Sequence, residues 1–263
     1  MKLGIPGKLF RAFVIFAVGL YLLTPIYGMF DFSTKPFGGG EGRTLRAWKA
    51  IPSQDGLLAA ITVSFVIAIL VMLLIFVLVV PTVIWVHLRL PKLRRPLELV
   101  CLLPLAIPAI VIVVGIAPLY RWISINLTES PVTLAGVYAM LILPYTYRSL
   151  SAALGIVDIA TLAEAARTLG ASTMRTIFGV VMPTIRSGIM SGVVISLALV
   201  LGEFTISSIL NYETLQVVIF SVGQNDGKIA VSVALASLLF VFGILFAIPT
   251  TKRQKEILDA DLT

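Results

Sequence analysis

Charge is scarce in this sequence. Asp, Glu, Lys and Arg make up only 13% of its 263 residues, about half the share expected of a soluble globular domain. Cysteine and histidine occur once each. The lone cysteine, Cys101, excludes an intramolecular disulfide, and its expected role is that of a small buried apolar residue. The lone histidine, His87, has no companion ligand, so no metal site is expected. No catalytic constellation is visible, and the chain is not expected to be an enzyme. The glycines at Gly38, Gly39, Gly40 and Gly42 lack the Lys-Ser/Thr ending of a phosphate loop and read as a turn. No cofactor is therefore expected in the chain itself.

What is present is apolar. Hydrophobic residues make up 59% of the sequence, and the mean hydropathy is +1.04. Five runs, 12–30, 57–86, 99–120, 130–147 and 229–251, contain no Asp, Glu, Lys or Arg. A sixth begins at Ser187, meets Glu203 and continues to Tyr212. A membrane-crossing helix needs about 20 apolar residues. These runs are continuous, not short and alternating as barrel strands are. The expectation is an all-α integral membrane protein of six transmembrane helices. The first is read as a retained span, because no small-x-small cleavage site follows it at Thr24-Pro25-Ile26-Tyr27.

The formal net charge of +7 reports topology, and no nucleic-acid partner is expected. With the N-terminus inside, the cytoplasmic segments hold Lys2, Lys8, Arg11, Arg89, Lys92, Arg94, Arg95, Arg148, Arg167, Arg175, Arg186, Lys252, Arg253 and Lys255. The outer segments hold Lys35, Arg43, Arg46, Lys49, Arg121 and Lys228. Fourteen of twenty basic residues inside is the positive-inside bias, so both termini are expected in the cytoplasm. The division expected is an N-terminal helix and outer loop over 1–56, a five-span core over 57–251 and a tail over 252–263.

One inner segment, 148–186, is far longer, at about 39 residues, than a connection between adjacent helices needs. Ile159, Leu162, Ala163, Ala166 and Leu169 recur at spacings of three and four, which predicts a helix with one apolar stripe. Asp158 is placed to cap its start and Gly170 to close its end. Ser172 can cap a second short helix through Ile177 and Phe178. Pro183 sits in the first turn leading into the fifth span.

Glu164-Ala165-Ala166, then Gly170, then Val180-Val181-Met182-Pro183 resembles the EAA signature of ABC importer permeases, with Val180 and Met182 in place of isoleucine and leucine. The resemblance covers roughly 57–251 and implies a type I ABC importer permease fold. In that fold a cytoplasmic coupling helix between the fourth and fifth spans docks on an ATPase. Glu164, Ala165, Ala166, Leu169, Gly170 and Pro183 would form the ATPase contact, and the stripe from Ile159 to Leu169 would need a partner surface. The implied partners are two cytoplasmic ATPase subunits, which bind the ATP and magnesium, a sister permease or second copy, and an extracytoplasmic substrate-binding protein. The last would dock on 31–56 and 211–228. The implied location is the bacterial inner membrane.

The stretch Leu201-Gly202-Glu203-Phe204-Thr205-Ile206-Ser207-Ser208-Ile209-Leu210 is similar to the spermidine/putrescine branch. Iron(III), aminoalkylphosphonate, sulfate-type and sugar permeases are alternatives. Glu203 is the one carboxylate within the sixth run, where an ionisable group costs roughly 2.5 kcal/mol or more at the bilayer centre. It is expected either to line the substrate pathway or outer gate, or to pair near the surface. A self-sufficient secondary transporter is the rival class; it would place coupling carboxylates deep in the spans, where only Glu203 qualifies.

Overall fold

A computed structural model describes residues 5–260 apart from Gly39 and Glu41, with side chains over 9–243. Lys2, and the side chains of Lys8, Lys252, Arg253 and Lys255, lie outside the described residues. Among those described there is no strand. The chain opens with α1 (Ile5–Thr34) and the single turn α2 (Arg46–Lys49). The helix pair α3 (Leu57–Leu74) and α4 (Val80–Arg89) is joined by a π-helical turn, Ile75–Val79. Next come α5 (Arg94–Ala106), α6 (Ala109–Asn126) and α7 (Leu134–Ile156). The loop that follows carries α8 (Ile159–Thr168), α9 (Thr173–Thr176), a second π turn at Ile177–Val181, and α10 (Met182–Thr184). The chain ends with α11 (Arg186–Gly202), α12 (Thr205–Ile209), α13 (Leu215–Asn225) and α14 (Gly227–Ala260).

Four stretches are long and apolar enough to cross a membrane: Leu9–Thr34, Leu57–Arg89, Ala109–Asn126 and Arg186–Ile209. Pro131–Ile156 with Ile159–Thr168, bent by 71°, makes a fifth, and Gly227–Gly243 is a shorter apolar helix. Four, or five with the bent pair, is the number that length and composition give among the described residues.

Three local expectations need correction. The apolar run 99–120 is not one helix. Pro108 forces the residue before it out of the α region, so Ile107 is extended at φ −108°, ψ 121°, and α5 and α6 are separate. The inner segment does not begin as a loop at Arg148, because α7 continues to Ile156; a charge ends an apolar run but not a helix. The sixth run is also interrupted: α11 stops at Gly202, and Glu203 is extended at φ −78°, ψ 124° before α12 begins.

Both π turns precede a proline by the same spacing. A proline ring crowds the carbonyl four residues earlier. For Pro81 and Pro183 those residues are Val77 and Gly179, each inside a π turn. The wider turn accommodates the ring without ending the helix.

The chain packs as two compact units, Met1–Leu57 with Ile219–Thr263, and Leu58–Val218. In the first, α1, α2 and the start of α14 are in contact. Trp48 Nε1 donates to Ser33 Oγ at 3.2 Å, and Lys228 Nζ donates to the carbonyls of Lys35 and Pro36 at 3.1 and 2.8 Å. In the second unit, α7 packs most extensively on α11. Gly188 sits so close to α7 that a Cβ there would lie 2.4 Å from Ala153 Cβ and 3.0 Å from the Ser149 carbonyl. One turn on, a Cβ on Gly192 would meet Thr146 Cγ2 at 3.4 Å. Ser149 Oγ donates to the Gly188 carbonyl at 2.8 Å, and Thr146 and Ser196 hydroxyls, both buried, lie 3.5 Å apart. Small residues at four-residue spacing let membrane helices approach closely.

Candidate functional site

The loop helix α8 is defined by local chemistry at both ends. Asp158 Oδ1 accepts from the Thr161 N–H at 3.2 Å, and Oδ2 accepts from the Thr161 hydroxyl at 2.7 Å. The Thr161 hydroxyl, then the Thr161 and Ala160 N–H groups, hold the Asp158 carboxyl below its ordinary range. At the other end Gly170 takes φ +83°. The Gly170 N–H reaches the Arg167 carbonyl at 2.8 Å, and the Ala171 N–H reaches the Ala166 carbonyl at 3.0 Å. That pair of bonds is a Schellman closure, and it requires the left-handed residue that glycine supplies. Ser172 Oγ then accepts from the Arg175 N–H at 3.3 Å and starts α9.

The predicted stripe divides in two. Ile159, Ala163 and Ala166 are buried, and α8 is in contact with α4 and the second π turn. Leu162 and Leu169 are 36% and 89% exposed. At 100° per residue the first three fall within about 60° of one another, with Leu162 and Leu169 set to one side. The expectation that the whole stripe needs an external partner is corrected: its own chain covers the central face. Ala165 is exposed next to the free leucines, Glu164 is exposed on the other side of the helix and Pro183 is exposed in α10, whereas Ala166 turns inward. Glu164 forms no ion pair among the described residues.

Both flanking helices of this loop belong to the tightest glycine seam among the described residues: α7 enters it and α11 leaves it. The residues of that seam, Gly188, Gly192 and Ser196, were not singled out from sequence. Their signal was there, as small residues spaced by four.

Glu203 lies in the break between α11 and α12. Its Oε2 accepts from the Tyr138 hydroxyl at 2.7 Å, and Oε1 accepts from the Ile206 N–H at 2.8 Å. A longer bond from the Ser207 N–H, 3.4 Å, also reaches Oε2. The carboxylate thus covers free N–H groups in the first turn of α12, where negative charge is favoured. Around it, Thr214 Oγ1 donates to Ser207 Oγ at 3.0 Å and Gln216 Nε2 donates to the Leu201 carbonyl at 2.8 Å. Ser64 Oγ accepts from the Leu215 N–H at 2.8 Å. Tyr138, 65 residues away in sequence, was missed, because nothing local marks it.

Glu203 also lines a cleft of about 230 Å³ with Tyr138, Tyr145, Ile107, Leu141 and Leu199 among its neighbours. No Lys, Arg or His lines that cleft, and Glu203 has no ion pair among the described residues. A half-buried carboxylate beside two aromatic rings, without a compensating cation, favours a positively charged ligand. Among the described residues no cluster of His, Cys, Asp or Glu could hold a metal ion.

No curated relative matches the chain. The family model described as "Binding-protein-dependent transport system inner membrane component" matches residues 83–250. That interval runs from α4 through the α8 loop and the Glu203 break into α14. On this match and an all-helical architecture with several membrane-length apolar helices, the chain belongs to the inner-membrane permease family of ABC importers.

Proposed function

We propose that this chain crosses the inner membrane six times with both termini in the cytoplasm. It forms half of a translocation path, completed by a sister permease or a second copy. Two ATPase subunits dock at α8, and a substrate-binding protein docks on the opposite side, at 31–56 and 211–228. The solute is a small polyamine-like cation. ATP and magnesium are held by the ATPase, and alternating access follows when ATPase closure moves α8. Association with an ATPase and a binding protein is general to the family.

The supporting observation is the division of α8. One face is buried against its own subunit, while Glu164, Leu162 and Leu169 stay exposed. A short helix is marginal alone in water, so a helix capped at both ends and half-covered is prepared for a second surface. Glu164 offers that surface a charge-assisted hydrogen bond. The test is a Glu164→Lys, Leu169→Asp double variant in the assembled transporter. The variant permease is expected at wild-type level in the membrane but without co-purifying ATPase and without uptake. Retained ATPase and full uptake would overturn the docking assignment.

The Glu203 cleft supports the choice of solute. Glu203→Gln is expected to lower uptake of a polyamine while the ATPase stays bound. Unchanged uptake would retire the pathway role, and uptake of an iron(III), aminoalkylphosphonate, sulfate-type or sugar solute instead would reassign the cargo.

A further inference from the structure

The turn joining α4 to α5 carries Arg89, Lys92, Arg94 and Arg95, all exposed. Two of these are used internally. Arg89 Nη2 reaches Thr173 Oγ1 at 3.4 Å, and Arg94 Nη2 donates to the His87 carbonyl. The side chains of Lys92 and Arg95 make no hydrogen bond or ion pair with another described residue. Glu98 lies three and four residues beyond Arg95 and Arg94, a helical spacing that suits an ion pair, yet neither arginine pairs with it.

What lies beside these cations is apolar and uncovered. Leu93 is 47% exposed, Leu99 71%, Val100 64% and Leu103 52%. With about 1.5 Å of rise per residue, Leu99 and Leu103 lie about 8 and 14 Å along α5 from Arg94. Trp85, four residues before Arg89, is 46% exposed; tryptophan favours the level of lipid headgroups. Cations next to an exposed apolar helix face, level with an exposed tryptophan, suit headgroup depth. A docked protein would have to displace lipid to reach Leu99 and Val100, whereas a phospholipid satisfies the cation and the apolar face with one molecule.

We infer that the Lys92–Arg95 corner binds the phosphate of an anionic phospholipid in the cytoplasmic leaflet, with an acyl chain along the Leu99–Leu103 face of α5. Basic residues close to an anionic surface each contribute about 1 kcal/mol of attraction. Removing two should lower the preference for anionic over zwitterionic lipid about 30-fold, using a factor of ten per 1.4 kcal/mol.

The leaflet rests on the topology proposed above, and the experiment separates the two. The assembled transporter, purified with its ATPase, is exchanged into nanodiscs of phosphatidylcholine with a minor fraction of phosphatidylglycerol, and native mass spectrometry reads the retained lipids. Wild type is expected to keep phosphatidylglycerol, and Lys92→Gln, Arg95→Gln to lose the preference. Arg121→Gln, an exposed cation on α6, is expected to keep it. Equal retention in the double variant, or equal loss in Arg121→Gln, would overturn the site. Labelling Lys92→Cys in intact cells with a membrane-impermeant maleimide should fail. Labelling from outside would overturn the leaflet and the topology, while the lipid preference would still report on the corner itself.

Discussion

In the unit formed by the two chain ends, one carboxylate serves two cations. Asp31 pairs with Lys35 at 2.7 Å and Arg43 at 3.2 Å. Phe37 lies under both the Arg46 guanidinium and the Lys228 ammonium, 4.8 and 4.6 Å from its ring centre, and Arg43 lies 5.6 Å from the Phe30 ring. The unit of residues 58–218 is held in another way. It relies on a glycine seam, buried hydroxyls and the Glu203 carboxylate. The contrast is instructive about cost: exposed pairs contribute little each and are screened by salt, whereas close backbone packing is insensitive to salt and intolerant of volume. The unit that carries the α8 loop is thus the one held by close backbone packing, and in it Lys92 and Arg95 form no ion pair among the described residues.

The contrast can be broken at its strongest point by Gly188→Leu. The side chain has no space beside Ala153, so a loss of about 3 kcal/mol is expected, read as a lower thermal midpoint and reduced membrane accumulation. Gly136→Ala, on the same α7 with nothing within 4 Å of the added Cβ, should be close to neutral. Glu203→Ala should cost about 2 kcal/mol, because it leaves a tyrosine hydroxyl and helix N–H groups unpaired. Tyr138→Phe should cost about 1 kcal/mol. In the double variant the two losses should fall short of their sum, since they share one bond; strict additivity in thermal unfolding would show that the two groups act independently.

In the other unit, Phe37→Ala is expected to cost roughly 1 kcal/mol through its two cation contacts. Asp31→Asn should have a smaller effect still, since its pairs are solvent-screened. Raising salt to about 1 M, where screening acts within about 3 Å, should erase the Asp31 effect and leave that of Gly188→Leu unchanged.

The smallest effect is at Asp158. Its carboxyl ionises below the ordinary 3.8, so the cap contributes fully above that pH and is lost as pH falls through the lowered value. Amide exchange at Thr161 should accelerate only in that acid window, and Asp158→Asn should remove the pH dependence.

How much of this could be read in advance follows from range. Asp158, Gly170 and Ser172 were legible because capping is decided within four residues. The apolar runs were legible because lipid demands length. The break at Pro108 was hidden inside an uncharged run, where hydropathy does not register backbone geometry. The division of the α8 stripe was hidden because periodicity identifies an apolar face but not how much of it the chain itself covers. Glu203 was visible as an anomaly, yet its role as a helix cap depends on an unexpected break, and its bond to Tyr138 depends on two helices distant in sequence.

The length of α7 gives these contacts a mechanical meaning. Tyr138 and Ser149 are eleven residues apart on one helix, about 16 Å at 1.5 Å per residue. If the helix pivots at its closest contact with α11, a tilt of about 10° carries the Tyr138 end through about 3 Å, by the same rise. That is as far as its hydrogen bond to Glu203 is long. Were α7 to turn about Gly188 in this way, a small swing at the loop end would suffice to part Tyr138 from Glu203.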